Sequence, residues 1–144
     1  MRIPQVYLAA GWFTPEQKKQ MDEIYRVLGK LRDKGKIKLF SPFYDGIVLK
    51  PNEQNIRKKM KEVWDLDIGK IEVSGLIVAC TQDNDVGTIF ECGYASALKK
   101  AIICYNSQPE YGLNVMLAQG AKGFVKTEEE LQNEVENFCA ALQV

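Results

Sequence analysis

The stretch Asp85-Val86-Gly87-Thr88-Ile89-Phe90-Glu91-Cys92-Gly93-Tyr94-Ala95 carries the residues best arranged to do chemistry. Read as a helix opening at Asp85, it puts Glu91 in the second turn, with Gly87 four residues before it and Ala95 four after it on one face. Neighbours that small leave a carboxylate unobstructed. The nearby helix N-terminus favours the ionised form, and Asp85 at the cap can hydrogen-bond a ligand hydroxyl at the same mouth. The spacing also suits a solvated glutamate whose small neighbours let the helix pack closely on a sheet. The chain of 144 residues contains no histidine. Imidazole bases, Ser-His and Cys-His nucleophiles and most zinc sites are therefore excluded together, and catalysis must rest on Asp, Glu, Tyr, Lys or backbone groups. Four separated cysteines, Cys80, Cys92, Cys104 and Cys139, form no C-x-x-C pair and read as buried or partly buried free thiols.

The elements that must position this segment can be read on either side of it. Val6 to Ala10 is a buried first strand, Gly11-Trp12-Phe13 a loop, and Thr14-Pro15 a helix start with threonine as N-cap and proline in the first helical position. Met21, Ile24, Val27, Leu28 and Leu31 recur at helical spacing, and the helix ends near Lys34 before Gly35. Ile37 to Phe40 reads as a second strand, Ser41 to Gly46 as a loop holding Phe43, Tyr44 and Asp45, and Asn55 to about Ile68 as a helix. The apolar run Val73 to Ala79 suits a central strand covered on both faces. A polar loop, Thr81 to Asp85, leads into the Glu91 helix, expected to run to about Lys99. Ala101 to Tyr105 is the next strand, Asn106 to Gly112 a loop, Leu113 to Ala118 a short helix and Gly123 to Val125 a last strand. Thr127-Glu128-Glu129-Glu130 then has the capping-box form ahead of a C-terminal helix.

This alternation implies an α/β fold with a doubly wound, flavodoxin-like parallel sheet of about five strands flanked by helices. Residues 1–144 are expected to form one domain, because the length suits a single core and no linker, repeat or low-complexity segment interrupts it. Nineteen basic residues balance nineteen acidic ones without like-charge runs, so a nucleic-acid polymer is an unlikely partner. No apolar stretch approaches the roughly 20 residues that span a bilayer, and no signal-peptide anatomy is visible, so a cytoplasmic location away from membranes is expected. In such a sheet the strand-end loops converge on one edge. They offer Gly11-Trp12-Phe13, Phe43-Tyr44-Asp45, Asp83-Asn84-Asp85 and Asn106 to Asn114. Aromatics, carboxylates and amides suit a neutral, flat, hydrogen-bonding ligand better than a polyphosphate, and no Walker loop or G-x-G-x-x-G is present.

Tyr7 with Gly11-Trp12-Phe13-Thr14, Asp67, Asp85-Val86-Gly87 with Glu91 and Gly93-Tyr94-Ala95, and Asn114 with Met116 together resemble the nucleoside 2-deoxyribosyltransferase family, over about four-fifths of the chain. The resemblance implies that Glu91 is a nucleophile forming a covalent deoxyribosyl ester, in a double displacement like that of a retaining glycosidase. It implies that Tyr7 orients Glu91 and that Asp67 protonates the departing base and deprotonates the incoming one. Asp65 lies close by in sequence and competes for that role. Asp85 and Asn114 correspond to positions that bind the sugar 5′-hydroxyl, the asparagine coming from a neighbouring subunit, so a homo-oligomer, dimer or hexamer, is implied. Trp12 and Phe13 would stack on or wall the base. Simpler readings stand beside these: Tyr7, Trp12 and Phe13 as core, Asp67 as an exposed helix residue, and Asn114 as the N-cap of the helix it precedes.

Two departures from the family pattern bear on specificity. A glutamine that some members use to read the base is replaced near Phe43-Tyr44-Asp45, and the C-terminus Ala140 to Val144 lacks the terminal tyrosine of some members. The expected ligands are 2′-deoxynucleosides and free nucleobases, with no metal or organic cofactor required. Two other activities share the scaffold: hydrolysis of 2′-deoxynucleoside 5′-monophosphates, and nucleoside binding without catalysis. The phosphate-holding members carry a Gly/Ser/Arg-rich first loop. Here Ala10-Gly11-Trp12-Phe13 is bulky and uncharged, which favours a nucleoside.

Overall fold

The computed structural model describes residues 1–108 and 114–144. Five parallel strands form one sheet in the order β2-β1-β3-β4-β5: β1 Gln5–Ala9, β2 Lys38–Phe40, β3 Leu76–Cys80, β4 Ala101–Tyr105 and β5 Gly123–Val125. Among the described residues six α-helices connect or follow them: α1 Pro15–Asp33, α2 Pro42–Asp45, α3 Ile56–Val73, α4 Val86–Ala97, α5 Val115–Gly120 and α6 Glu128–Ala141. This is the flavodoxin-like winding, in which the order reverses between β1 and β3 and opens a crevice at their carboxyl ends.

Strand alternation sorts the side chains between two cores. Val6, Leu8, Val78, Ile103 and Tyr105 face α1 and α6, meeting Met21, Ile24, Leu28, Leu131 and Val135. Tyr7, Ala9, Ile77, Ala79, Ile102 and Cys104 face α3 and α4, meeting Ile71, Cys92 and Ala95. β3 is buried along its whole length, as the apolar run required. Each fully buried Leu or Ile contributes about 1.5–3 kcal/mol by leaving water.

The caps explain where the elements begin and end. At α1 the Thr14 side chain accepts from Gln17 N while the Gln17 side chain accepts from the Thr14 backbone, and Pro15 occupies the first turn. Thr127 caps α6 by accepting from Glu130 N. Gly35, at φ 73°, takes the left-handed conformation just beyond α1 that glycine adopts without strain. Three expectations need correction. Pro42–Asp45 is a short helix rather than loop, because Ser41 accepts from Tyr44 N and Pro42 sits at the first position, the same signature that starts α1. The helix read as ending near Ile68 continues to Val73, where Ser74 Oγ donates to Lys70 O, so Val73 is exposed helix and the central strand begins at Leu76. The short helix begins at Val115 and ends at Gly120, and its expected start at Leu113 and most of the loop before it lie outside the described residues. Cys80, Cys92 and Cys104 are buried free thiols and Cys139 is partly buried, as read from the sequence. No helix among the described residues is long and apolar enough to cross a membrane.

Candidate active site

Glu91 faces inward from α4 at the carboxyl end of the sheet. The Tyr7 hydroxyl, on β1 beside the central strand, donates to Glu91 Oε2. Tyr7 is fully buried, and its ring packs on Phe40 at 5.8 Å between centroids. Burial, then the charges of Glu91 and Asp67, push the phenol well above its ordinary range, so it stays protonated and serves as a fixed donor. Burial pushes the Glu91 carboxyl up to about 7; the Tyr7 hydrogen bond opposes that shift, and the charges of Asp67 and Asp85 add to it. Burial also pushes Asp67 up to about 6. Two carboxyls are thus poised to exchange protons near neutral pH, a pattern typical of functional sites.

Both carboxyls line a cavity of about 440 Å³ between α3 and α4. Gly87, Phe90 and Glu91 form its α4 wall, Met60, Trp64 and Asp67 its α3 wall, and Leu49 closes one side. Trp64 and Phe90 meet across it with ring centroids 5.6 Å apart. Asp65, two residues from Asp67, instead pairs with Lys61 at 2.7 Å on the exposed side of the helix. The distinction follows from helical geometry, since 100° per residue turns Asp65 away from the face that carries Met60, Trp64 and Asp67.

Asp85 caps α4 with Oδ2, which accepts from Thr88 N at 2.9 Å and Thr88 Oγ1 at 2.8 Å. Its carboxylate lies against Gly11: a Cβ at residue 11 would come within 2.7 Å of Asp85 Cγ and 2.8 Å of Oδ1. The first strand-end loop and the α4 cap therefore meet where only glycine fits.

Other candidates lie elsewhere. Trp12 packs between Phe13, at 5.2 Å, and Phe43, at 5.1 Å, against the α1-side core, and Phe13 is 73% exposed. Tyr44 donates to Asp22 at 2.5 Å, and Asp45 Oδ2 accepts from Ser41 N at 2.9 Å. None of these five residues lines the Glu91 cavity. Asn114 caps α5, its Oδ1 accepting from Met116 N and Leu117 N at 2.9 and 3.2 Å. It lines a separate groove of about 790 Å³ between α4 and α5 with Met116, which is 78% exposed. Capping uses the amide oxygen and leaves the NH₂ group for another acceptor.

The sequence reading missed Leu49, Met60, Trp64 and Phe90. A signal was present for three of them. Met60 and Trp64 precede Asp67 by seven and three residues, the spacing of one helical stripe, and Phe90 adjoins Glu91.

Fold and site together define an α/β protein of flavodoxin-like winding with a paired-carboxyl cleft at the strand ends. A family model described as nucleoside 2-deoxyribosyltransferase matches residues 6–138, and the chain belongs to that family. Its structure is similar to a 2-deoxyribosyltransferase of Bacillus psychrosaccharolyticus, at 23% identity and TM-score 0.73 over 90% of each chain. It is similar to a conserved protein of Enterococcus faecalis, at 17% identity and TM-score 0.73 over 94% of this chain and 99% of the other. It also resembles a CMP N-glycosidase of Clostridium botulinum, at 20% identity and TM-score 0.59 over 92% and 98%. At these identities the three likenesses establish the fold. No curated protein matches the chain in sequence.

Proposed function

We propose that the protein transfers a 2-deoxyribosyl group from one nucleobase to another through an ester on Glu91. The observation that carries this reading is the Glu91 carboxylate, held by the buried Tyr7 hydroxyl and sharing one cavity with Asp67. In the first half-reaction Glu91 attacks the anomeric carbon, the bond to the base breaks, and Asp67 gives its proton to the departing base. In the second, an incoming base attacks the anomeric carbon, displaces the Glu91 carboxylate and gives a proton to Asp67, so two inversions yield net retention. Apolar walls around the carboxyls suit a flat base, and Trp64 and Phe90 supply aromatic faces. Asp85 would bind the 5′-hydroxyl, and Asn114 of a neighbouring subunit would add a second contact. These steps use carboxylates alone and call for no cofactor.

Incubating a 2′-deoxynucleoside with a different free base should yield the exchanged nucleoside. Mass spectrometry without acceptor should show a deoxyribosyl adduct on Glu91, and sizing should show an oligomer. Absence of the adduct together with exchange in Glu91→Ala would overturn the mechanism.

The likeness to a CMP N-glycosidase favours a second reading, hydrolysis of a nucleoside 5′-monophosphate. Against it stands the first loop, Ala10-Gly11-Trp12-Phe13, which carries none of the cations and hydroxyls that hold a phosphate. Parallel assays with deoxyadenosine and its 5′-monophosphate, with water as the competing acceptor, separate the two. A non-catalytic nucleoside binder would keep its affinity in Glu91→Ala with no activity to lose.

A further inference from the structure

On the opposite face of the sheet, three strand-end loops are tied to one helix by buried amides. Gln17 and Gln20 project from α1 and are 4% and 0% exposed, in positions where a helix facing a sheet ordinarily buries apolar side chains. Gln17 Oε1 accepts from Phe13 N at 2.9 Å and Thr14 N at 3.1 Å, while its Nε2 donates to Gln82 O at 3.2 Å. Gln20 Nε2 donates to Gln82 Oε1 at 3.0 Å, and its Oε1 accepts from Ser107 N at 3.0 Å. Gln82 Nε2 donates to Asp83 Oδ1 at 2.9 Å, and Asp83 Oδ2 accepts from Thr14 Oγ1 at 2.8 Å, closing a ring.

We infer that Gln17 and Gln20 are positioning residues that fix the Gly11 loop against Asp85, and through Asp85 set the fit of a substrate hydroxyl. The loops they join also meet closely, since a Cβ on Gly11 would come within 2.7 Å of Asp85 Cγ. The tied loop also needs holding. Asp83 and Asn84 both occupy the left-handed region, at φ 59° and 47°, which non-glycine residues rarely adopt without support. Amides suit this role because each can both donate and accept, and because they carry no charge that would alter the carboxyls across the sheet.

The functional half of this assignment rests on the transfer reading, which supplies the substrate. The test compares a 2′-deoxynucleoside donor with its 2′,5′-dideoxy analogue in wild type, Gln17→Met and Gln17→Glu. Gln17→Glu keeps the acceptor for Phe13 and Thr14 and removes the donor to Gln82, isolating the loop-to-loop link. Both variants should lose about tenfold of the preference for the 5′-hydroxyl, through donor KM, while the dideoxy donor is used as well as by wild type. Equal loss on both donors, or no loss on either, would overturn the assignment. Amide hydrogen exchange supplies a readout independent of activity. Exchange at Thr88, whose N–H is held by Asp85, should quicken in both variants relative to the core amide of Val78. An unchanged ratio also overturns the inference, whereas a wild type that transfers nothing counts against the transfer reading alone. Gln20→Met repeats the measurement should Gln17→Met fail to fold.

Discussion

On the α1 face, the polar side chains buried at the carboxyl edge of the sheet are neutral: Gln17, Gln20, Gln82 and Asn106. On the α3 and α4 face the partly buried polar groups that line the cavity are acids, Glu91 and Asp67, beside a buried phenol. The amides bond to one another and to loop backbone, and no buried side-chain polar atom among the described residues lacks a partner. The acids keep one fixed donor, the Tyr7 hydroxyl, and open onto a cavity whose other walls are apolar. Desolvation is thus offset by hydrogen bonds on one face and left as raised proton affinity on the other. On the proposed reading, one side of the sheet holds geometry and the other holds reactivity.

The largest test of that division is removal of the proposed nucleophile. Glu91→Ala should lower base exchange by at least about 10⁴-fold, measured by chromatography of the exchanged nucleoside, with the fold intact by circular dichroism. Next is Tyr7→Phe, which deletes one hydrogen bond to a charged acceptor. About 1.5–3 kcal/mol of stabilisation goes with it, so kcat should fall roughly 10- to 100-fold. Because that hydrogen bond lowers the Glu91 proton affinity, and the Glu91 value already lies above that of Asp67, the alkaline limb of the rate profile should move to higher pH.

The pH profile sharpens the comparison further. The proposed transfer needs Glu91 ionised and Asp67 protonated, the minor arrangement of the one-proton pair because the Glu91 value is the higher, so kcat/KM should be bell-shaped with limbs near about 6 and about 7. Asp67→Asn should lower the rate and abolish the alkaline limb, leaving activity that rises with pH and then levels. Asp65→Asn, altering a carboxylate paired with Lys61 on the exposed side, should leave both rate and limbs within about twofold of wild type.

The smallest effect is on stability. Burial raises the folded-state Glu91 pKa from 4.5 to about 7, so its contribution to stability is complete below about pH 4.5 and is lost as pH climbs through 7. Glu91→Gln should therefore melt at the wild-type temperature near pH 4.5 and a few degrees higher at pH 8. Asn106→Ala, on the amide face, should lower the melting temperature by the same amount at both pH values, since it leaves uncharged partners unsatisfied.

The fold was legible wherever local chemistry and periodicity agreed. Thr14-Pro15, Thr127 with Glu130, and the stripe through Met21, Ile24 and Leu28 gave helices with correct starts. Val73 misled because an apolar residue at a helix end and one at a strand start look alike when only Ser74 and Gly75 part them. In the site, the spacing around Glu91 was informative because a helix converts it directly into a face. The contact of Tyr7 with Glu91 spans 84 residues and was available only through the family resemblance. The aromatic loop was harder to place. Phe43 and Tyr44 are held by Trp12, Asp22 and the Ser41 cap, contacts that no short-range pattern reveals. The cavity walls at Met60 and Trp64 were readable as a stripe with Asp67, but direction along a helix does not say what lies opposite it.

The close fit at Gly11 limits how the pocket can be reshaped. Even a methyl group there would press on the Asp85 carboxylate at less than 3 Å, so the side chain that caps α4 by accepting from Thr88 N would have to shift. Widening the Glu91 cavity should therefore leave residue 11 alone and trim Met60 or Leu49, which line that cavity and take no part in the helix cap.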